Sequence, residues 1–406
     1  MNIGNFSFYP VGQGCFYAGK IMNKFTVVFD CGSISRRIYL DNAIDAFKLK
    51  HKKIDLLVIS HFDEDHVNGV ADLLNGTPCG KVVIPYYDPI LRLTLYGDSN
   101  SDNEDYISFL TNPTEFFLSD RFNVDEVIII GNNGETFIND NIKPQPPKES
   151  NEEIDIENEK PLSISFNKEE DNSVKDYIQN IEEISNTNKV KYFTLPFSLT
   201  IGIGIWEFVF YLKFFDQQNK ITNFENAINN LLKETNTANI NSLFDNKFRK
   251  RIRKIYSTHI HKRINYTSLV LYHGPIMKII YHVICTECFD SWCFHQESKK
   301  TGTILTGDLY LSTRKDFNAF YNYYQPHYID KCEWLQVPHH GSKSNWKNLP
   351  NGLENITHYI INHGLRRKHP YAEVIDNILE ESKSKQIHLN NETHKVCYSM
   401  FYFKIS

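Results

Sequence analysis

The stretch that decides the fold is Ile54-Asp55-Leu56-Leu57-Val58-Ile59-Ser60-His61-Phe62-Asp63-Glu64-Asp65-His66. Its first part is a short, almost continuous apolar run, which is typical of a strand covered on both faces. Its last six residues hold five side chains that can bind a metal ion, two imidazoles and three carboxylates. Clustered carboxylates repel one another unless a positive charge is near. The sequence therefore predicts a metal site directly after a buried strand.

Strands and helices alternate around this stretch. Apolar runs at 25–29 and 81–85 predict strands, and Leu40, Ile44 and Phe47 lie at helical spacing within a helix predicted over 36–50. In open α/β sheets, functional groups collect where the strands end in loops. We therefore expect an α/β fold whose chemistry lies at the strand ends.

The composition is that of a folded chain. The 406 residues are 41% hydrophobic and 23% charged, which excludes a wholly disordered protein. The net charge of −5 neither requires nor excludes nucleic acid, because local patches matter more than the total.

The 8 Cys predict buried free thiols in a reducing cytoplasm. The apolar segment 192–215 is interrupted by Pro, Gly and Glu. Its uninterrupted apolar stretches are shorter than the ~18 residues that a membrane-spanning helix needs, so we expect strands and no membrane contact.

Polar side chains follow three further predicted strands. One apolar run ends in Asp308, a second ends in His339 and His340, and a third precedes His369. Taken alone, Asp308 would be a helix cap and His369 a surface histidine. Their repeated placement after strands favours a shared functional site.

Together, these segments resemble the metallo-β-lactamase fold, and specifically the hydrolase domain of ComEC-type DNA-uptake competence proteins. The segments that carry the resemblance are Val11-Gly12-Gln13-Gly14, Phe29-Asp30-Cys31-Gly32, Ser60 to His66, Ser268-Leu269-Val270-Leu271, Leu305-Thr306-Gly307-Asp308, His339-His340-Gly341-Ser342 and His369-Pro370. The resemblance implies an α/β protein with a four-layer αββα sandwich and a metal site at one edge of the two sheets. An acidic insertion and an inserted helical region have no counterpart in that family.

The resemblance also implies a centre with two divalent metal ions, Zn²⁺ or Mn²⁺. The metal ligands that it implies are His61, Asp63, Asp65, His66, Asp308 and His339. Asp308 would bridge the two ions, while Asp65, His340 and His369 would take part in catalysis. Either His339 or His340 would complete the metal shell. Three places depart from the family pattern. Asp63 replaces the His that the wider superfamily usually has, although ComEC-like members often have Asp there. Val67-Asn68-Gly69 replaces the usual tail with two glycines, and Cys15 replaces the usual Asp of competence proteins.

The chain is predicted to contain four segments. Residues 1–130 and 265–406 would form the two halves of the fold, and residues 191–264 a strand and helical insertion with a basic helix. Residues 131–190 would form an acidic, partly disordered insertion, since 148–171 contains nine acidic and three basic residues. A capping box at Thr222-Asn223-Phe224-Glu225 predicts the start of a helix.

A basic helix is predicted near residue 250. Its faces away from an apolar stripe carry six cations and no acid: Lys247, Arg249, Lys250, Arg251, Arg253 and Lys254. Two interpretations stay open, a solvated surface helix and a face that binds the phosphates of a polyanion.

A second group of metal-type ligands occurs between the predicted strands of the last third. Cys285, Cys288, Cys293 and His295 lie within eleven residues. They indicate either a small structural zinc site or a cluster of free thiols among aromatic residues, since the second spacing is irregular.

The function that fits these features best is a metal-dependent hydrolase. We expect a phosphodiesterase or nuclease that cleaves nucleic acid through a hydroxide activated by two metal ions. One alternative is a small-ester or cyclic-nucleotide hydrolase of the same fold, because a fold does not choose a substrate. Another is a sensor or binding subunit with a structural metal site. Nucleic acid and protein are the candidate partners, and the resemblance permits a role in bacterial antiviral defence.

Overall fold

Two large β-sheets packed face to face form the centre of the molecule in the computed structural model. The structure describes residues 2–99, 101–132, 143–147, 162–184, 187–202, 204–213, 218–237, 239–260, 268–276, 281–285, 294–298, 300–346, 352–380 and 385–401. For residues 218–220, 281–285 and 294–298 the description covers the backbone alone.

The first sheet has ten strands. In chain order they are β1 (Asn2–Phe8), β2 (Gly14–Ile21), β3 (Phe25–Ser33), β4 (Ile54–Val58), β5 (Cys79–Pro85), β6 (Val124–Ile130), β8 (Val190–Phe193), β12 (Tyr281–Cys285), β13 (Phe294–Ser298) and β18 (Val396–Phe401). Their order across the sheet is β13-β12-β18-β1-β2-β3-β4-β5-β6-β8, and β3 to β8 run parallel.

The second sheet has eight strands. They are β7 (Ile164–Phe166), β9 (Phe197–Ile201), β10 (Trp206–Leu212), β11 (Leu269–Pro275), β14 (Gly302–Leu305), β15 (Cys332–Gln336), β16 (His358–Asn362) and β17 (Gln386–Asn390). Their order is β17-β16-β15-β14-β11-β10-β9-β7, and β14 to β17 run parallel.

Helices cover the outer face of each sheet. They are α1 (Arg37–Lys50), α2 (Glu64–Val67), α3 (Val70–Leu74), α4 (Pro89–Asp98), α5 (Glu104–Thr111), α6 (Pro113–Leu118), α7 (Asn172–Ile181), α8 (Gln218–Glu234), α9 (Asn246–His259), α10 (Arg314–Tyr324) and α11 (Ala372–Glu380). One apolar cluster joins the first sheet to α1 and to α3 through α9, and another joins the second sheet to α10 and α11. A third cluster fills the space between the sheets. The predicted αββα four-layer sandwich is therefore confirmed.

Strand β4 shows why its sequence is almost wholly apolar. Leu56 and Val58 pack into the core between the sheets, while Leu57 and Ile59 pack against the helices. Both faces of the strand are thus removed from water, as the apolar run predicts.

The parallel strands of both sheets end at the same edge of the sandwich. Residue 61 follows β4 in the first sheet, whereas Asp308, His340 and His369 follow β14, β15 and β16 in the second. Side chains far apart in sequence are brought together there, because carboxyl ends of parallel strands share an edge.

Most predicted elements agree with the structure. Helix α1 buries Leu40, Ile44 and Phe47 as expected, and the described part of the apolar segment contains the end of β8 and the whole of β9 and β10. The capping box at Thr222 is wrong, because α8 begins at Gln218 and Thr222 lies inside it. Among the described residues, no helix combines the length and the apolar character needed to cross a bilayer.

The predicted acidic insertion contains ordered elements. Strand β7 and helix α7 both lie within it, and Asp171 caps α7 by accepting from the backbone N–H of Ser173 and Val174. Residues 133–142 and 148–161, which carry most of its acidic charge, lie outside the described residues.

Candidate metal centre

The loop after β4 presents its polar side chains toward the second sheet. Asp63 is the N-cap residue of the short helix α2, which carries Asp65 and His66. Gly32 at the end of β3 lets this helix approach closely, since a Cβ there would lie 2.6 Å from the carbonyl carbon of His66.

One group of side chains forms around Asp308. Its carboxylate oxygens lie 3.6 Å from His61 Nε2 and 3.3 Å from His66 Nε2. Asp63 lies 4.0 Å from His61 Nε2. His61 and His66 are buried, and their Nε2 atoms make no hydrogen bond within the described residues. Two buried imidazole nitrogens at these distances from a carboxylate can bind a metal ion together with it.

A second group shares His66. It consists of Asp65, His66 and His340, whose ligand atoms lie within 4.8 Å of one another. His340 Nε2 lies 3.1 Å from Asp65 Oδ2. The two groups together contain three imidazoles and three carboxylates, the donor set that zinc and manganese accept.

Buried partners hold the opposite nitrogen of each imidazole. His66 Nδ1 lies 2.7 Å from the Asp30 carboxylate, and His340 Nδ1 lies 2.9 Å from the carbonyl oxygen of Asn362. Ser60 Oγ donates to Asp30 and can therefore accept the Nδ1 hydrogen of His61, 2.8 Å away. With Nδ1 protonated in all three rings, each Nε2 keeps its lone pair for a metal ion.

Asp30 and Ser60 were absent from the sequence-predicted site. Asp30 is fully buried and also accepts the Ser60 N–H at 2.7 Å. Its signal was present in the Phe29-Asp30-Cys31-Gly32 segment, as an acid at the end of an apolar strand. Its partner His66 is 36 residues away, and their contact depends on the parallel pairing of β3 with β4.

The charged states of the metal-free site follow from these contacts. Burial lowers the pKa of His66, but the Asp30 and Asp308 carboxylates outweigh it and raise that pKa well above its ordinary value. Burial and the neighbouring His66 likewise lower the pKa of His61. The Asp308 and Asp63 carboxylates raise it by a larger amount, so the pKa of His61 lies above its ordinary value. The carboxyls of Asp65, which is half-buried, and Asp308, which is buried, have lowered pKa values, because neighbouring histidines outweigh the effect of burial. The carboxylates thus draw positive charge into a buried site, as protons or as metal ions.

The turn after β15 separates its two histidines. His339, His340 and Gly341 have φ angles of 47°, 57° and 78°, so three consecutive residues are left-handed. His340 points to Asp65, whereas His339 Nδ1 lies 3.5 Å from Asp308 Oδ2. His369 lies beside His339, with ring centres 5.9 Å apart. Every predicted ligand and catalytic residue therefore lies in one region.

Cys15 forms a third group with Asp30 and His66. Burial raises the pKa of its thiol well above its ordinary value, with Asp30 acting in the same direction. His66 Nδ1 is already engaged with Asp30, so this group shares His66 with the two other groups and orients its ring. His273, another histidine of the second sheet, lies between the sheets on Tyr17 and away from the centre.

Helix α9 is the predicted basic helix, and most of its cations have partners. Arg249 bonds to Asp102 and to the carbonyl of Ser101, Arg251 pairs with Glu234, and Lys247 pairs with Asp245. Lys250 and Lys254 are exposed and form no ion pair within the part of the chain that the structure describes.

The basic helix is linked to the candidate centre. Arg253 donates to the carbonyl of Ser99 at 2.8 Å, and Ser99 Oγ donates to Glu64 at 3.4 Å. Glu64 belongs to the loop that carries Asp63 and Asp65. The helix therefore lies on the side of the centre formed by the first sheet.

The predicted structural zinc site lies outside the described side chains. Cys285 and His295 belong to the paired strands β12 and β13, whose backbone alone is described, and Cys288 and Cys293 are outside the described residues. The zinc site stays a prediction.

Comparisons with known proteins agree with this architecture. Residues 22–155 match the family model described as the metallo-beta-lactamase superfamily. The matched segment, about a third of the chain, is similar to a metallo-β-lactamase superfamily domain. It includes β4 and the loop from His61 to His66, and the two sheets with helices on both outer faces have the metallo-β-lactamase fold. No curated protein sequence matches the chain.

Two solved structures are similar to the chain. The metallo-beta-lactamase fold protein YhfI from Bacillus subtilis shares 8% sequence identity, with 97% of this chain and 98% of that chain covered and a TM-score of 0.37. A long form RNase Z from yeast shares 10% identity, with 82% of this chain and 32% of that chain covered and a TM-score of 0.28.

Proposed function

We propose that this metallo-β-lactamase domain is a metal-dependent hydrolase of phosphodiesters, a nuclease of the ComEC-like branch. The observation that carries the proposal is the convergence of His61, His66 and His340 on Asp65 and Asp308. Each of the three imidazoles has its Nδ1 held by a buried partner and its Nε2 directed at the carboxylates. Such orientation of imidazoles by buried acceptors is a general feature of metal sites.

The ligands of two divalent cations, Zn²⁺ or Mn²⁺, can be assigned from the contacts. His61 and Asp63 would hold one cation, Asp65, His66 and His340 would hold the other, and Asp308 would be shared. His340 thus takes the role of ligand rather than proton carrier, because its Nε2 lies 3.1 Å from Asp65. Asp308 is suited to bridging, because its two oxygens face different histidines.

The remaining groups would act on the substrate. When bound, two cations supply Lewis acidity and an activated water for in-line attack at phosphorus. Burial, with the charges of His339 and His340, lowers the pKa of His369 to about 4. His369 is then neutral at pH 7, so it would donate a hydrogen bond to a phosphate oxygen rather than protonate the departing group. His339, half-exposed between Asp308 and His369, is the better placed proton donor.

The cellular setting forms a further part of what we propose. Cys15, Cys31, Cys79, Cys332 and Cys397 are buried free thiols, which suits a cytoplasmic protein. In this compartment the protein would cleave nucleic acid as part of a bacterial defence module, together with a protein partner.

Metal analysis together with hydrolysis of bis-p-nitrophenyl phosphate tests the proposal. We expect bound Zn²⁺ or Mn²⁺ in the wild type, and loss of both metal and at least ~1,000-fold of the activity in Asp65→Ala and Asp308→Ala. Asp125→Asn, an exposed acid on β6, is the control and should keep both properties. Hydrolysis that survives in Asp65→Ala and Asp308→Ala would overturn the mechanism.

A further inference from the structure

A cationic loop borders the candidate centre on the side formed by the second sheet. Residues 364–370, here called the basic loop, follow β16 and contain Arg366, Arg367 and Lys368 directly before His369. Arg366 and Lys368 are exposed and form no ion pair with any described residue. Two cations are therefore available to a ligand beside the predicted scissile position.

The basic loop is fixed to the scaffold by other groups. Its Gly364 N–H donates to Gln13 at 3.3 Å, and its Leu365 N–H donates to Glu392 at 2.9 Å. Arg367 donates to the carbonyl of Ile34 at 2.9 Å. Glu392 also accepts from Ser35 at 2.8 Å, so this nearby acid is engaged in holding the loop. Arg366 and Lys368 consequently project from an anchored segment.

A third cation lies on the same side. Lys343 follows the His339-His340 turn, and its ammonium lies 4.8 Å from the ring centre of Tyr371. Its ion pair with Glu373 is 3.8 Å long and exposed to solvent, so it contributes little and a phosphate can replace it. Tyr371 N–H donates to Gly341 at 3.1 Å, which ties the end of the basic loop to the same turn.

The centre thus has cations on two sides. The basic helix reaches the loop from His61 to His66 through Ser99 and Glu64, whereas the basic loop contacts the His339-His340 turn. A small ester or a cyclic mononucleotide has at most one phosphate, and the centre itself would hold it. A polynucleotide strand that crosses the centre presents further phosphates on both sides.

We infer that the basic loop binds the backbone phosphates next to the scissile one, so that the substrate is a polynucleotide strand rather than a small ester or a cyclic nucleotide. This inference rests on the proposed hydrolase function. Arg366 and Lys368 set the substrate class by contacting backbone phosphates, which carry no sequence information. Lys343 adds a contact on the same side.

The first test measures binding without catalysis. Fluorescence anisotropy in EDTA would follow a labelled 12-nucleotide oligothymidylate and a matching oligouridylate. We expect the Arg366→Ala/Lys368→Ala double variant to bind at least one strand about tenfold more weakly, with a salt slope smaller by about 1.4, since each lost contact to a single strand removes about 0.7. The control is Lys50→Ala/Lys52→Ala, which removes two exposed cations near the start of β4, at the opposite ends of the strands.

The second test separates this inference from the function on which it rests. The double variant should raise the KM for the cleaved oligonucleotide about tenfold and leave hydrolysis of bis-p-nitrophenyl phosphate unchanged, because that small ester contacts His369 but does not reach Arg366 or Lys368. If the wild type hydrolyses the small ester and the double variant still binds and cleaves both strands like the control, the inference is wrong. If the metal-loaded wild type hydrolyses neither compound, the proposed function is wrong, and the anisotropy still reports whether the basic loop binds strands.

Discussion

Asp30 is the residue on which the arrangement of the centre depends most, although it is not itself a proposed ligand. It accepts hydrogen bonds from Ser60 and contacts His66, and Ser60 in turn contacts His61. One buried carboxylate therefore orients two imidazoles from the same loop. Its position at the end of β3, next to β4, makes these contacts a direct consequence of the sheet.

We predict that Asp30→Asn weakens metal binding by about 10–100-fold. The new amide group donates toward His66 Nδ1, which favours the tautomer with its proton on Nε2, and that proton occupies the metal position. Titration of the apoprotein with Zn²⁺ or Mn²⁺ measures the change. Unchanged affinity in Asp30→Asn would show that the carboxylate does not orient the ligand, and Asp125→Asn controls for the loss of an acid.

A second prediction concerns pH. The Asp30 and Asp308 carboxylates raise the pKa of His66 above its ordinary value against the effect of burial, so the metal-free site holds a proton at neutral pH. This proton stabilises the apoprotein at low pH, and the contribution is lost as the pH rises through the raised pKa. A metal ion must displace the same proton, so metal affinity should rise with pH up to that pKa.

Calorimetry of metal binding in two buffers with different ionisation enthalpies measures the released protons. We expect proton release between pH 6 and 7 and less of it in Asp30→Asn, where one of the two carboxylates that raise the pKa of His66 is gone. Affinity that is independent of pH, with no proton released, would contradict this account.

At the scale of elements, helix α9 combines two roles that the sequence alone leaves open. Arg249 is largely buried and bonds to Ser101 and Asp102, so it joins the helix to the loop before α5. Lys250 and Lys254 are exposed on the same helix. The basic run in the sequence is therefore divided between cations that hold the fold together and cations that face solvent.

We predict that Lys250→Glu/Lys254→Glu lowers the affinity for an oligonucleotide and its dependence on salt, with the melting temperature preserved, because each lost phosphate contact reduces counterion release. Arg249→Ala should instead reduce the free energy of unfolding by about 1–2 kcal/mol through its lost hydrogen bonds. Anisotropy and thermal unfolding of both variants separate the two effects. Binding that is indifferent to Lys250→Glu/Lys254→Glu would leave α9 as a solvated structural helix.

The same elements show what could be predicted from sequence. Local patterns were sufficient to predict the positions of α1, β4 and the loop from His61 to His66. The spacing of apolar residues and the types of the polar residues that follow them can both be read from neighbouring positions in the sequence. The partners of Asp30 and Arg249 were not predictable. Asp30 meets Ser60 only through the pairing of β3 with β4, and Arg249 meets Asp102 only through the packing of α9 against α4. The start of α8 was missed because the capping pattern at Thr222 occurs within a longer helix.

At the scale of the whole molecule, the candidate centre exists because two sheets deliver their strand ends to one edge. The first sheet supplies His61 and His66, the second supplies Asp308 and His340, and the core between the sheets fixes their separation. Neither half of the chain contains both sets. The predicted activity is thus a property of the packed sandwich rather than of a local motif.

Anomalous diffraction from crystals of the protein soaked in Mn²⁺ tests this central claim most directly. We predict two peaks about 3.5–4 Å apart, one against His61 Nε2, the other against His66 Nε2 and His340 Nε2, with Asp308 between them. Crystals that show no peak at these nitrogens, while the side chains keep their positions, would contradict it.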